Sequence, residues 1–227
     1  MTAAAQSGIP TAFLVDTNGV VAWVGHPMTL TDELIEAVLN GTHDVKKAFA
    51  DFMAAHKERE DWQAAQIPIN KFYEALQKKN WEEASASLAE AEKILPKKRT
   101  DSLRVQIPMA KHDYAAVLEL VDRLHNSPEG ATAPFLNEIA WRMAIDESIA
   151  PVDLARAEKI AEWADDASKH KDPMVIDTLA RVRFRRDKKA EAVALQEKAV
   201  RLADEGAKAN FEEVLASYKN GQLPPVK

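Results

Sequence analysis

Three pairs of alanines stand seven residues apart along the chain: Ala84 with Ala91, Ala157 with Ala164, and Ala192 with Ala199. Seven residues are two helical turns, so each pair shares one face of its helix. Small side chains on a shared face let a neighbouring helix approach closely, as a tightly wound antiparallel helix pair requires. Ala180, twelve residues before Ala192, falls on the partner helix of the last pair. From Asp44 onward the apolar positions keep the helical period, beginning with Val45, Ala48, Phe49, Phe52 and Met53. About ten helical segments are expected after Gly41. They are separated by short punctuators such as Lys79-Asn80, Leu95-Pro96, Ser127-Pro128-Glu129-Gly130, Ala150-Pro151 and Lys171-Asp172-Pro173. Connections this short favour antiparallel neighbours.

Pro68 and Pro108 share the surroundings Gln-Ile-Pro inside otherwise helical patterns, and each is expected to start its helix or to kink it. Pro96 follows Ala91 by five residues and Pro128 follows Ala116 by twelve. With the alanine spacing, this resembles the tetratricopeptide repeat, a helix pair of about 34 residues. The best-matched unit runs from Asp177 to Val200, and Leu136 to Ala144 opens the unit before it. Ala140 and Ala180 are forty residues apart, so an insertion is expected in the turn from Asp146 to Asp153. The units around Trp81 and Tyr114 match less well. A generic helical bundle with alanine-rich seams is the alternative.

From Thr11 to Gly25 two short apolar runs rich in Val, Leu, Phe and Trp flank Asn18-Gly19. Asn-Gly supplies the positive φ values of a tight type I′ turn, so a β-hairpin is expected. Neither run alternates cleanly, which predicts that both faces of the small sheet are covered. The expected covers are the helix near Leu34 to Leu39, the helix carrying Phe49 to Met53, or another copy of the chain. Thr31 is the expected cap of a helix with Leu34, Ile35, Val38 and Leu39 at three- and four-residue spacings, and Gly41 its stop.

The run from Gly8 to Pro27 resembles the closing hairpin of thioredoxin-like proteins, the redoxin and disulfide-reductase group, and the resemblance covers residues 1–42. It implies a cis peptide bond at Ile9-Pro10, a pair that stands beside the active-site cysteines in that family, then two antiparallel strands and a final helix. An ordinary trans proline opening a strand is the alternative. The family's first strand, its Cys-containing helix and the strand and helix after it have no counterpart. Ile9 and Pro10 are thus substrate-adjacent by resemblance, with no thiolate to stand beside. A two-stranded hairpin is marginal alone, and its Thr11 to Val15 edge is expected to be adhesive. Met1 is accordingly an expected fragment boundary.

Composition narrows the chemistry. The chain has no cysteine, which removes disulfides, thiolate nucleophiles and two-cysteine redox motifs together. Its 36 acidic against 30 basic side chains leave no cationic excess for phosphates, so nucleic acid is not an expected partner. No run approaches the roughly 18 apolar residues of a membrane span, and Met1 to Ser7 lack the basic start and apolar core of a signal peptide. The six histidines show no metallohydrolase spacing, and the seven glycines form no phosphate-cradling cluster. No catalytic residue, metal site or cofactor is expected. The acidic runs Glu58 to Asp61 and Asp165-Asp166 read as solvated helix faces.

One charge feature stands out: Arg181, Arg183, Arg185, Arg186, Lys188 and Lys189 place six basic groups in nine residues. They read either as cationic capping of a helix C-terminus or as an anion-binding patch that grips a partner's carboxylate or phosphate.

The expected architecture is mainly α, with a partial thioredoxin-like segment at 1–42 and a tetratricopeptide-like helical domain at 43–227. The expected function is a non-catalytic protein-protein interaction module that holds a protein or peptide, with homodimerisation through the exposed hairpin as a further expectation. The alternative is the C-terminal part of a thioredoxin-like thiol-disulfide oxidoreductase whose cysteines lie upstream of Met1.

Overall fold

The computed structural model describes residues 10–127 and 130–225, apart from the side chain of Lys98. Ile9, and with it the Ile9-Pro10 bond, lies outside the described residues, as does Pro128; Pro10 is exposed. Eleven α-helices and one two-stranded antiparallel sheet make up the described chain, ten of the helices after Gly41. Two compact units are present: Met1–Glu74 with Ala86–Pro96, and Ala75–Ser85 with Lys97–Lys227.

In the first unit, β1 (Ala12–Val15) pairs with β2 (Val21–Gly25), with Phe13 opposite Val24 and Leu14 opposite Trp23. The type I′ turn is not formed, because Gly19 has φ +77° while Asn18 keeps a negative φ. Asp16 decides this: its carboxylate accepts from the amides of Val20 at 2.8 Å and Asn18 at 2.9 Å. Its carbonyl takes the Gly19 amide at 3.1 Å. The outcome is a longer Asx-organised turn with one left-handed residue and a register irregularity after Leu14. The Val20 hydrogen bond chiefly holds the Asp16 carboxyl below the usual carboxylate range.

Helix α1 (Asp32–Leu39) starts and stops where the residue chemistry asks. Thr31 Oγ1 accepts from the Leu34 amide at 3.3 Å, and Asp32 and Glu33 occupy the first turn. Gly41 takes φ +69° so that its amide bonds Val38 and the Thr42 amide bonds Ala37. His43 Nε2 then lies 3.1 Å from the Ala22 carbonyl, tying this segment to β2. Helix α2 (Val45–Gln77) continues through Pro68, which leaves the Ala64 carbonyl without its usual donor. Within one chain the expected helices do not cover both hairpin faces: Phe13, Val15, Val20 and Val21 are about half exposed, and Leu39 and Phe49 more so. Among the residues of α1 only Val38 is buried, and two strands offer too little area to seat helices on both faces.

The second unit opens with the end of α2 and the start of α3 (Trp81–Ile94), and continues with α4 (Lys97–Arg104), α5 (Gln106–Ala110), α6 (Tyr114–His125) and α7 (Ala133–Ile145). It is completed by α8 (Pro151–Ala167), α9 (Pro173–Arg185), α10 (Lys189–Leu202) and α11 (Glu205–Lys219). Helix α4 ends at Arg104, the residue whose carbonyl Pro108 would otherwise clash with. From α7 on, each helix packs on the next, and α7 also packs on α9 and α6 on α8. Leu136, Met143, Ile160, Val175 and Val182 fill the core between them. Ala157, Ala164, Ala180, Ala192 and Ala199 are completely buried in this unit, and so is Ala84.

The connections repeat. Lys79, His112 and Asp187 each take a left-handed conformation, at φ 55°, 56° and 61°. The amide after each reaches back five residues, to Ala75, Pro108 and Arg183, all at 2.9 Å. Asn80 and Asp113 then cap the following helix through the Glu83 and Ala116 amides. The first two turns are 33 residues apart.

The turns also interlock. Lys111 Nζ sits 5.4 Å from the Trp81 ring centre. The Tyr114 hydroxyl donates to Asp146, His112 Nδ1 lies 2.8 Å from the same carboxylate, and Ser148 Oγ donates to it at 2.7 Å. Arg185 in turn donates to the carbonyls of Ala144 and Asp146 at 2.8 and 2.7 Å. The connection between α7 and α8 is thus pinned from both sides.

Burial opposes ionisation of Asp146, but hydrogen bonds from Tyr114, Ser148 and His112 outweigh it and hold the carboxyl well below the usual range. A depressed folded-state pKa adds stability that is complete above the unfolded carboxylate pKa of about 3.9 and is lost as pH falls through the folded value. Tyr114→Phe removes one donor from this carboxylate and is expected to destabilise by about 1.5–3 kcal/mol at pH 7. The deficit should hold from pH 7 to about pH 4 and narrow only at lower pH, as the carboxyl protonates in the folded state; urea unfolding along a falling pH series measures it, and a deficit that grows on acidification contradicts the assignment.

Candidate functional site

The six basic residues between Arg181 and Lys189 do not share one surface. Arg183 donates to Glu158 at 3.0 Å and to Glu162 at 2.9 Å, and lies 3.2 Å from Glu191. Arg186 and Lys188 meet the same Glu158, the latter at 2.9 Å. Glu158 is 2% exposed, so three cations converge on one buried carboxylate. Lys189 pairs with Asp187 at 3.4 Å. Arg185 caps carbonyls at the end of α7, the cationic-cap chemistry applied to a neighbouring helix rather than to its own.

Arg181 lines a cavity. Three helices build it from residues four apart, the spacing that puts side chains on one face. Helix α7 presents Asn137 and Trp141, α9 presents Asp177 and Arg181, and α11 presents Asn210, Val214 and Tyr218. The cavity holds about 300 Å³, and Pro224 and Pro225, in the segment after α11, form part of its wall. Arg181 is 6% exposed and donates from its NH1 nitrogen to the Pro224 carbonyl at 3.0 Å. Its guanidinium carbon lies 5.4 Å from the Trp141 ring centre. Phe184 stacks on the cavity-lining Tyr218 at 4.6 Å, and Gln196 donates to the carbonyl of the cavity-lining Phe211 at 3.3 Å.

The polar atoms here are incompletely used. Arg181 Nε, Asp177 Oδ1 and Asn137 Oδ1 are buried without a hydrogen-bond partner. Burial pushes the Asp177 carboxyl up, opposed by a hydrogen bond from Gln196 and the Arg181 charge. Burial likewise pushes the Tyr218 hydroxyl up, with the Asp177 charge adding to it. Buried polar atoms are nearly always bonded in folded proteins, so three orphans lining one cavity mark a place that takes further partners. No single stretch of sequence reveals this site. Its one local trace is a polar or aromatic pair at four-residue spacing in α7 and again in α9.

In the first unit, both hairpin strands and the opening turns of α2 line an apolar cavity of about 600 Å³ with Phe13, Trp23, Phe49 and Phe52 in its walls. Ser148 bonds the Asp146 carboxylate rather than the His112 imidazole, so no base-activated nucleophile is assembled there. Among the described residues no three metal-ligating side chains come together, and no helix is long and apolar enough to cross a membrane. No protein-family model, no curated protein and no solved structure matches this chain.

Proposed function

We propose that the chain is a non-catalytic binding module of tetratricopeptide-like helix pairs, and that the groove on α7, α9 and α11 holds an extended peptide. One observation carries the reading: a polypeptide segment already lies in the groove, with buried Pro224 bonded to buried Arg181. The helix-pair reading is supported by the recurring left-handed turns, the fully buried alanines and the interlocking of successive turns. Aromatic walls with a few fixed polar groups suit recognition of an extended main chain.

Panning a displayed library of random nonapeptides against the chain tests this. Peptides retained by the wild type are expected to bind at least about 10-fold more weakly to Trp141→Ala and to Arg181→Ala, since Trp and Arg are the usual anchors of such sites. Circular dichroism establishes that each variant is folded. Equal retention on wild type and both variants places binding elsewhere and overturns the reading.

A further inference from the structure

We propose that the segment after α11 is a displaceable occupant of the groove, and that the partner in trans is an extended peptide carrying a basic side chain. The inference rests on the peptide-binding reading of this groove and adds to it the occupant and the partner's charge.

The chain is turned into the groove by a helix stop. Gly221 takes φ +72°, its amide bonds Tyr218 and the Gln222 amide bonds Ser217, both at 2.9 Å, reversing the direction after α11. Pro224 is then buried while Leu223 and Pro225 on either side are exposed. This is shallow seating, with one buried residue and one hydrogen bond from Arg181.

The occupant also mismatches the site. Pro224 and Pro225 have no amide hydrogen, so they offer acceptors but no donors. Arg181 is served by a carbonyl, whereas the unpartnered oxygens of Asp177 and Asn137 need donors. Among the described charged side chains that line the cavity, Glu138 and Asp177 stand with Arg181, so its carboxylates outnumber its guanidinium. A peptide with Lys or Arg at the place of Pro224 presents a carbonyl, an amide hydrogen and a positive charge together. An acidic peptide at that place meets the carboxylates of Glu138 and Asp177.

The segment competes with outside peptides from a short tether, at an effective concentration on the order of millimolar. Against a Kd in trans of about 100 μM, that gives roughly tenfold inhibition. The test measures fluorescence anisotropy of three labelled heptapeptides: this chain's own 221–227 sequence, its Pro224→Lys version and its Pro224→Glu version. Each is titrated with the full chain, with a chain ending at Asn220, and with the full-length variant Pro224→Asp, whose new carboxylate is repelled from the groove. The shortened chain and Pro224→Asp are expected to bind the Lys peptide about 10-fold more tightly than the full chain does, and at least about 10-fold more tightly than the Glu peptide. Should the shortened chain fail to fold, Pro224→Asp alone decides. Equal affinity of full and opened chains overturns the cis occupant, and Glu binding as well as Lys overturns the basic partner. Panned peptides that bind while all three heptapeptides fail would sink this inference and leave the groove reading standing. Failure of every peptide would sink both.

Discussion

Ala192→Leu is expected to destabilise the second unit by about 3 kcal/mol, at the upper end of the cost of overpacking a filled core. For a domain of this size the melting temperature should fall by about 6–12 °C. Ala192 is completely buried on α10 and clusters with Ala180 of α9, Phe184 and Tyr218. With alanine on both sides of that seam the helices approach closely, and the added carbons of leucine have only backbone and the stacked Phe184 and Tyr218 rings to displace. Tyr218 also lines the groove, so the peptide binding proposed for it should weaken together with stability. Ala194, two residues on, is exposed, and Ala194→Leu should change stability by less than about 0.5 kcal/mol. Thermal melts followed by circular dichroism compare the two, and equal melting temperatures would show that the seam is loose.

Glu158→Ala is expected to destabilise the same unit by about 2–3 kcal/mol. Removing one partner of a fully buried ion pair costs about 3–5 kcal/mol. The figure here is lower because Arg183, Arg186 and Lys188 keep 21%, 31% and 38% of their side chains in solvent and can rehydrate. Arg183 also retains Glu162 and Glu191. The comparison is the exposed Lys47 and Asp51 pair, where Asp51→Ala should cost less than about 0.5 kcal/mol. Urea unfolding measures both; a Glu158 deficit as small as that of Asp51 would mean that the three cations are not organised around it.

These two sites differ in how visible they are in the amino-acid text. The seam can be read from spacing alone, because alanines seven apart are on one helical face wherever that helix ends up, and burial of Ala84, Ala91, Ala157, Ala164, Ala192 and Ala199 is complete. Thr31 and Gly41 are legible for the same reason, since a cap and a left-handed stop depend on a few neighbouring residues. The hairpin is legible, but its turn is not. Asn18-Gly19 alone favours a two-residue turn, and the Asp16 carboxylate, by binding two amides, favours a longer one.

The basic run shows where local reading ends. In a linear sequence its six charges look like one patch. On a helix each residue turns about 100°, so Arg181 enters the groove, Arg183 turns to α8, and Arg185 reaches the end of α7. Glu158, Asn137 and Tyr218 lie too far away in sequence for any motif to link them to that run. Helix content, helix ends and the alanine seams were therefore determined by the sequence itself, because they follow from interactions within a few residues. The groove, its unpartnered oxygens, the bond from Arg181 to Pro224 and the carboxylate that gathers three cations were decided only by tertiary structure, because each brings together residues 25 or more apart in the sequence.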